Sequence, residues 1–125
     1  MSYTCFDVEL NNRIAHIKLI RPEKRNSMIP RFWDELPQII DDLDSNARAR
    51  VIVISSTGPH FSSGMDVQTF AQSSQREAEA DVHGSRTRGA QFYAHVARLQ
   101  QTFSCLENCR IPVLVAIQGG CIGGA

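Results

Sequence analysis

The apolar and polar residues of this chain alternate over two stretches near the N-terminus, and this alternation predicts two strands. One stretch runs from Phe6 to Leu10 and the other from Ile14 to Leu19, each with the period of two that a half-buried strand shows. Asn11 and Asn12 lie between them, and Asn favours tight turns because it tolerates a positive φ. The sequence therefore predicts an opening β-hairpin.

Helical spacing of apolar residues occurs in two later segments. Between Pro30 and about Ser45 these residues recur every three or four positions, as on the buried face of an amphipathic helix. Pro37 lies inside that pattern and is expected to kink the helix. The same spacing returns from Gly89 to about Asn108. Residues 71–88 are polar with little periodicity, and we expect them to form a mobile lid or a disordered segment.

Two runs of β-branched and other apolar residues predict strands that are buried on both faces. They span Arg50 to Ser56 and Pro112 to Ile117, and such runs after helices are typical of a parallel sheet. The fold class is therefore predicted to be α/β. Each run ends in a loop of small residues, and in the first loop Asp66 is expected to cap a short helix from Val67 to Ala71.

The second loop, Gly119-Gly120-Cys121-Ile122-Gly123-Gly124-Ala125, indicates a site for an anion or for an oxygen that becomes one. Glycine has no Cβ, so its amide N–H can approach a ligand closely. If a helix begins at the second glycine pair, its unpaired N–H groups and positive dipole end point to the same place. A dinucleotide-binding turn is disfavoured, because the spacing is not G-x-G-x-x-G and three strands precede the motif.

Charge and composition exclude several kinds of partner. Thirteen basic residues balance thirteen acidic ones, so no overall field would attract nucleic acid or an anionic membrane surface. No apolar run reaches the roughly 18 residues of a membrane-spanning helix, and residues 1–7 lack the layout of a signal or transit peptide. A cytoplasmic location is expected. The four cysteines are expected to be reduced, because no secretion signal is recognised. They are expected to be structural and not metal ligands, because no histidine has metal-ligand spacing with them.

The residues alone do not decide the roles of two further features, the basic loop at residues 21–28 and His60. Residues 21–28 contain three cations, among them Lys24 and Arg25, and composition favours a solvated loop leading into a helix over a loop that binds phosphates. His60 lies in the loop after the first buried strand and could act as a ligand or base. The neighbouring sequence offers no acid to orient it, which argues against that role.

Four short motifs resemble, in order and spacing, those of the crotonase (enoyl-CoA hydratase/isomerase) superfamily. They are Arg21-Pro-x-Lys-x-Asn26, Phe61-Ser-Ser-Gly64-Met-Asp66, Ile111-Pro112-Val-x-x-Ala116 and Gly119-Gly-Cys-Ile-Gly-Gly124. The glycine motif and Phe32-Trp33 look most like the Δ3,5-Δ2,4-dienoyl-CoA isomerase branch. The resemblance implies that residues 1–125 form the N-terminal part of a crotonase-type ββα spiral fold. The catalytic acids and the C-terminal helical domain are then expected beyond Ala125.

The resemblance also implies an oxyanion site made of two backbone amides. In the family an acyl-CoA thioester forms an enolate-like intermediate, whose oxygen accepts hydrogen bonds from two N–H groups. By resemblance these belong to Met65, which follows the glycine of the Phe-x-x-Gly motif, and to Gly124. The implied binding surface comprises Lys24, Arg25, Ser27, Ser63, Gly64, Met65, Asp66, Val67, Gln68 and Gly124.

Parts of that surface have different implied roles. Lys24, Arg25 and Ser27 fall where family members contact the adenosine-phosphate part of CoA, and Gly64 to Gln68 are expected to line the thioester and pantetheine passage. Asp66 resembles the family's structural aspartate, not its base. The substrate is then an acyl-CoA thioester, with no separate cofactor and no metal. The complete subunit is expected to form a homotrimer or hexamer.

Three functions stay open at this point. The isomerase branch implies conversion of a 3,5-dienoyl-CoA to a 2,4-dienoyl-CoA in fatty acid β-oxidation. A hydratase of the same family would add water to a 2-enoyl-CoA, and the acids beyond Ala125 would distinguish the two. The alternative from another class is a catalytically incomplete CoA-binding fragment, because the 125-residue segment by itself is expected to be inactive.

Overall fold

A four-stranded mixed sheet forms the centre of the protein, of which a computed structural model describes residues 2–69 and 82–125. The strands are β1 (Phe6–Asn11), β2 (Ile14–Leu19), β3 (Val51–Ser56) and β4 (Val113–Val115), and they lie in that order across the sheet. β1 pairs antiparallel with β2, whereas β2 with β3 and β3 with β4 pair in parallel. The predicted α/β class and the predicted hairpin are confirmed.

The hairpin turn lies slightly later than the sequence predicted. β1 continues through Asn11, and the residues with positive φ are Asn12 at 51° and Arg13 at 64°. Two consecutive residues of positive φ are characteristic of the type I′ turn, whose twist matches that of the flanking strands. An arginine therefore occupies a position for which the sequence analysis expected asparagine.

Two long helices, α1 (Pro30–Ser45) and α2 (Val82–Asn108), connect the parallel strands. Because parallel neighbours need a crossover connection, α1 lies between β2 and β3 in the chain, and α2 lies between β3 and β4. α1 has the predicted bounds, with Pro30 in its first turn, where the missing N–H breaks no helical hydrogen bond. A short 3-10 helix covers Pro22–Lys24.

α2 begins earlier than the sequence predicted. It includes residues 82–88, so disorder, one of the two alternatives for 71–88, is wrong for them; the mobile lid stays a prediction, and residues 71–81 lie outside the described part of the chain. Residues 86–95 are mostly exposed, and Phe92, which lies within the segment of predicted helical spacing, is 57% exposed. Apolar residues recur at helical spacing only where one face of a helix is buried, so an exposed stretch of helix lacks that pattern. The period appears only where α2 packs on α1, for example at Phe103.

β4 is shorter than the predicted run from Pro112 to Ile117. After Val113–Val115, the Ala116 N–H still donates to the Ile54 carbonyl at 2.9 Å, and the chain then leaves the sheet. Ile117 is 57% exposed. The strand ends there because the backbone that follows bonds to the loop after β3 instead of to β3 itself.

The hydrophobic core lies between one face of the sheet and α1. Its members include Ala15, Ile17, Leu19, Ile52 and Ile54 from the sheet and Phe32, Leu36, Ile39, Ile40 and Leu43 from α1. The Trp33 ring makes an edge contact with Phe103 of α2, with ring centroids 5.3 Å apart. This packing holds β2, β3 and β4 in parallel. The three loops that follow their carboxyl ends therefore leave the sheet at one edge, which is where open parallel sheets bind ligands.

The four cysteines carry free thiols. Cys5 is 3% exposed, and burial, followed by the neighbouring Glu35 carboxylate, raises the pKa of its thiol to about 11. In the described ranges, no group of His, Cys, Asp and Glu side chains could hold a metal ion. No helix there is long and apolar enough to cross a membrane.

Candidate active site

The loop after β2 and the loop after β3 are joined by backbone hydrogen bonds. The Ser63 N–H donates to the Arg25 carbonyl at 2.9 Å, and the Met28 N–H donates to the Gly64 carbonyl at 2.8 Å. The Asp66 N–H returns a bond to the Met28 carbonyl at 3.0 Å. The segment that contains the predicted CoA-contacting cations is thus fixed beside the segment that contains Met65.

The loop after β3 is joined in turn to the glycine loop after β4. The Phe61 and Ser62 amides both donate to the Gly120 carbonyl, at 3.0 and 3.2 Å. The Ile122 N–H donates to the Ser62 carbonyl at 3.2 Å, which completes a parallel bridge between Ser62 and Cys121. The two small-residue motifs, about sixty positions apart in the sequence, therefore run side by side.

Gly64 lies at a close contact between these two loops. Its φ is +86°, and a Cβ at this position would lie 2.5 Å from the Ile122 carbonyl oxygen and 3.6 Å from the Gly123 Cα. Any side chain would push the loops apart, so the contact requires glycine. Met65 follows Gly64 directly and Gly124 follows Gly123. The two predicted oxyanion donors are thus each one residue from the same contact.

No acceptor within residues 2–69 and 82–125 is found for the amides of Met65 and Gly124. The adjacent Gly64 N–H donates to the Ser62 hydroxyl at 3.1 Å, and the adjacent Ala125 N–H donates to the Ile122 carbonyl at 3.2 Å. Met65 and Gly124 are both exposed residues, so their N–H groups can donate to a ligand. Two such donors on touching loops could bind an oxygen on which negative charge develops.

An apolar wall borders Gly124. A Cβ built there would lie 3.7 Å from the Phe103 ring and 3.9 Å from Met28 Sδ, both ordinary van der Waals distances. Low polarity beside a hydrogen-bond donor strengthens its interaction with a charge. The second glycine pair forms a turn in which Gly123 has a φ of +64°, so Gly123 itself does not have the backbone conformation of a right-handed helix. The left-handed residue is what directs the chain back against Gly64.

Lys24 and Arg25 lie at the exposed end of the loop after β2. Lys24 ends the 3-10 helix, and Arg25 follows it in the left-handed region with a φ of 53°. Both side chains are exposed, and neither forms an ion pair with an acid of the described residues. Their charges are therefore available to an anionic group that approaches from solvent.

Ser27 is buried and donates its hydroxyl to Asp66 Oδ2 at 3.2 Å. The other carboxylate oxygen, Oδ1, accepts from the Thr69 N–H at 3.1 Å, so the predicted helix cap is confirmed for residues 67–69, and residues 70–71 lie outside the described part. The Thr69 N–H is the main cause that lowers the pKa of Asp66, and the Ser27 hydroxyl adds to it. Asp66 is thus an ionised capping group, as the family resemblance implied. The predicted contact of Ser27 with CoA stays a prediction.

The remaining predicted contact residues lie along the same loop with different exposure. Val67 is 79% exposed and Met65 is 41% exposed, and Gln68 is exposed as well. Ser63 is partly buried, because its amide faces the loop after β2. Met65, Val67 and Gln68 thus form an exposed surface beside the Gly64 contact, and their predicted contact with CoA stays a prediction.

Asn26 and Ser62 had no role predicted from the sequence, and their hydrogen bonds join the three loops. Asn26 is 2% exposed; its Oδ1 accepts from the Arg21 N–H at 2.9 Å and its Nδ2 donates to the Thr57 carbonyl at 2.9 Å. Ser62 is fully buried and donates its hydroxyl to the Asn26 carbonyl at 2.8 Å. Asn26 carried a signal in its motif and its tolerance of positive φ, here 52°. Ser62 belongs to the Phe61-Ser-Ser-Gly64-Met-Asp66 motif, but that motif did not indicate that its hydroxyl is buried and hydrogen-bonded.

The sheet order and the crossover helices define an α/β protein with a candidate site at the carboxyl edge of its parallel strands. Residues 9–125 match the family described as enoyl-CoA hydratase/isomerase, and the chain belongs to that family. The predicted crotonase membership and fold are thereby confirmed.

Individual relatives place the chain within that family. It is 38% identical over 112 residues to the mitochondrial Δ(3,5)-Δ(2,4)-dienoyl-CoA isomerase of Rattus norvegicus, covering 89% of this chain and 33% of the relative. It is 31% identical over 114 residues to the peroxisomal Δ(3,5)-Δ(2,4)-dienoyl-CoA isomerase of Arabidopsis thaliana, covering 91% and 40%. The crystal structure of an enoyl-CoA hydratase from Shewanella pealeana superposes with a TM-score of 0.74 at 22% identity, covering 93% and 40%. The chain thus spans a third to two fifths of the proteins that it matches.

Proposed function

We propose that the protein is an acyl-CoA isomerase that converts a 3,5-dienoyl-CoA to a 2,4-dienoyl-CoA, with the backbone amides of Met65 and Gly124 holding the thioester oxygen. One observation carries the proposal. The two amides donate to no acceptor in the described residues, and they flank the contact between Gly64 and the Ile122–Gly123 backbone. That pairing suits a reaction in which negative charge develops on an oxygen.

The chemistry of the isomerisation explains why such a pair would be needed. Removal of a proton from C2 of a 3,5-dienoyl thioester leaves a conjugated dienolate, whose charge is shared with the thioester oxygen. Return of a proton to C6 moves both double bonds and gives the 2,4-diene. Each oxyanion donor typically contributes about 2.7–4 kcal/mol to lowering such a barrier. The carboxylates that transfer the protons are proposed to lie in the part of the relatives' length that this chain does not cover.

Recognition of CoA is proposed to involve the loop after β2. Lys24 and Arg25 are exposed, and the Arg25 carbonyl is bonded to Ser63, two residues before Met65. Guanidinium and ammonium groups bind phosphate oxygens with charge-assisted hydrogen bonds. A CoA molecule would then reach from these cations along Gly64 to Gln68, with its thioester at Met65 and Gly124.

The isomerase is favoured over the hydratase by the named relatives. The proteins from rat and Arabidopsis, at 38% and 31% identity, are both dienoyl-CoA isomerases, whereas the hydratase from Shewanella pealeana, at 22% identity, supports the fold alone. Addition of water to a 2-enoyl-CoA is the alternative, because it also passes through an enolate and would use the same amides. A CoA-binding segment without activity of its own is the alternative of another class.

Assembly and location are also proposals. A homotrimer or hexamer is proposed for the complete subunit, and sedimentation would measure it. The relatives from rat and Arabidopsis are named mitochondrial and peroxisomal. The cytoplasmic location expected from the sequence therefore stays a prediction, which cell fractionation would test.

The deciding experiment assays the protein, purified in the form in which its cells make it, with a 3,5-dienoyl-CoA and with a 2-enoyl-CoA. We expect the first thioester to acquire the absorbance of a conjugated 2,4-dienoyl product. Turnover of the 2-enoyl-CoA alone would favour the hydratase. If the protein turned over neither thioester and did not bind CoA, the proposed enzymatic activity would be refuted. Full activity from material with an intact mass of 13.9 kDa would exclude the inactive-segment alternative.

A further inference from the structure

His60 makes a hydrogen bond that the sequence did not indicate. Its Nδ1 accepts from the Gly120 N–H at 2.9 Å. An imidazole nitrogen accepts only when it carries no proton, so this hydrogen bond requires the tautomer that has its hydrogen on Nε2. The sequence offered no acid to orient this histidine, and the structure uses a backbone amide of the glycine loop instead.

Both the N–H and the carbonyl of Gly120 are thereby hydrogen-bonded to residues 60–62. Its carbonyl accepts from the Phe61 and Ser62 amides at 3.0 and 3.2 Å, while its N–H is held by the His60 ring. The preceding residue makes room for that ring, because a Cβ at Gly119 would lie 2.9 Å from His60 Nδ1. The imidazole and the first glycine pair are therefore fitted to each other.

This bond lies at the start of the segment that contains Gly124. From Gly120 the chain passes to Ile122, whose amide bonds to the Ser62 carbonyl at 3.2 Å and whose carbonyl lies against Gly64. His60 is itself anchored, since its carbonyl accepts from Asn26 Nδ2 at 3.3 Å. A chain of direct contacts thus runs from the buried Asn26 through His60 to the glycine loop.

We propose that His60 is a positioning residue of the active site. It sets the Gly119–Gly120 backbone so that the Gly124 amide is held opposite the Met65 amide, and it acts through Gly120 without touching substrate. The inference rests on the proposed function, because it assigns His60 a part in holding the same oxyanion site. Loss of the bond would leave the CoA-contacting loop in place and weaken only the stabilisation of the enolate.

The test compares His60→Ala with His60→Asn in the protein as its cells make it. Asn carries an oxygen, Oδ1, close to the place of His Nδ1, so it can accept the Gly120 bond, whereas Ala cannot. We expect His60→Ala to lower kcat by about tenfold, which corresponds to one net hydrogen bond, with KM changed by less than about twofold. His60→Asn is expected to recover most of that loss. Hydrogen exchange of the Gly120 amide is expected to be fast in His60→Ala and slow in the other two proteins.

The outcomes separate this inference from the proposed function. Equal kcat for His60→Ala and the unchanged protein, or equal losses in both variants, would overturn the positioning role while the isomerase stands. Equal exchange of the Gly120 amide in all three proteins would overturn it as well, without reference to activity. An unchanged protein that turns over neither thioester would refute the proposed function, and with it the role of His60 in turnover.

Discussion

Gly64 lies so close to Ile122 that a Cβ at position 64 would be 2.5 Å from the Ile122 carbonyl oxygen. Side chains do not approach a backbone atom so closely, so the contact exists because residue 64 is glycine. It joins the loop after β3 to the loop after β4. Since Met65 and Gly124 are the residues that emerge from it, the proposed oxyanion site depends on this contact between backbones.

Replacement of Gly64 by alanine tests that dependence. A φ of +86° and the close Ile122 oxygen both oppose a side chain, so Gly64→Ala is expected to lower the free energy of unfolding by at least about 2 kcal/mol. We expect kcat to fall by at least about a hundredfold, because displaced loops separate the two donors. Urea unfolding and turnover measure the two effects.

A matched glycine serves as the control for this variant. Gly89 lies within α2, and a Cβ there would meet nothing within 4 Å, so Gly89→Ala is expected to stabilise the protein by about 0.5–1 kcal/mol. Its turnover should equal that of the unchanged protein. Wild-type activity in Gly64→Ala would contradict the assigned role of the contact.

The role of Met65 is assigned to its amide and not to its side chain. Replacing Met65 by the corresponding α-hydroxy acid exchanges the N–H for an ester oxygen and keeps the side chain. We expect this change to lower kcat by about 10²–10³, the usual effect of removing one oxyanion donor. Met65→Leu, which keeps the amide, should lose far less. A larger loss in Met65→Leu than in the ester would assign the function to the thioether instead.

Ser62 is predicted to stabilise the loops after β2 and β3 through its buried hydroxyl. Ser62→Ala leaves the Asn26 carbonyl and the Gly64 N–H without their partner, which is expected to cost about 1–3 kcal/mol in unfolding free energy. Ser104, whose hydroxyl bonds to Gln100 of its own helix at 3.1 Å, is the matched control, and Ser104→Ala should change stability by less than about 0.5 kcal/mol. Equal effects in chemical denaturation would show that burial of the Ser62 bonds contributes nothing.

Asp66 is predicted to titrate below the ordinary aspartate value of about 3.9, since the Thr69 N–H and the Ser27 hydroxyl lower its pKa. Ser27→Ala should raise that pKa only part of the way, because the Thr69 bond is the larger cause. A folded-state pKa below the unfolded one confers stability that is present above the unfolded pKa and is lost as the pH falls through the folded pKa. The stability difference between the unchanged protein and Asp66→Asn should therefore shrink as the pH falls below about 4.

Carboxyl carbon chemical shifts followed against pH would report this titration directly. A midpoint at or above the ordinary value in the unchanged protein would refute the capping role. A midpoint that does not move in Ser27→Ala would refute the contribution of the Ser27 hydroxyl to the pKa of Asp66.

The strands and helices that follow from local hydrophobic periodicity were predicted well. The hairpin, α1 from Pro30 to Ser45 and β3 follow from periods of two or 3.6 residues, which depend on neighbours in the sequence. The start of α2 was missed because the sequence before Gly89 has no apolar period, and residues 86–95 are mostly exposed. The end of β4 was missed because Ile117 is apolar yet leaves the sheet.

The site was predicted only in part, for a related reason. Motifs identified Gly64, Met65 and Gly124, but not the partners that hold them. Asn26 reaches the His60 carbonyl across 34 positions, Ser62 reaches the Asn26 carbonyl across 36, and His60 reaches the Gly120 amide across 60. Each of these side chains bonds to a backbone atom, and backbone atoms have no residue identity that a sequence could display.

The sequence by itself determined the order of strands and helices, the family and the positions where glycine permits close approach of the backbone. Only the tertiary structure decided which glycine faces which carbonyl, and that the Met65 and Gly124 amides lie beside the same contact. Parallel pairing of β2, β3 and β4 brings three distant loops to one edge of the sheet, where backbone hydrogen bonds join them. The placement of the two amides is a result of that long-range packing, and so it cannot be read from any local stretch of residues.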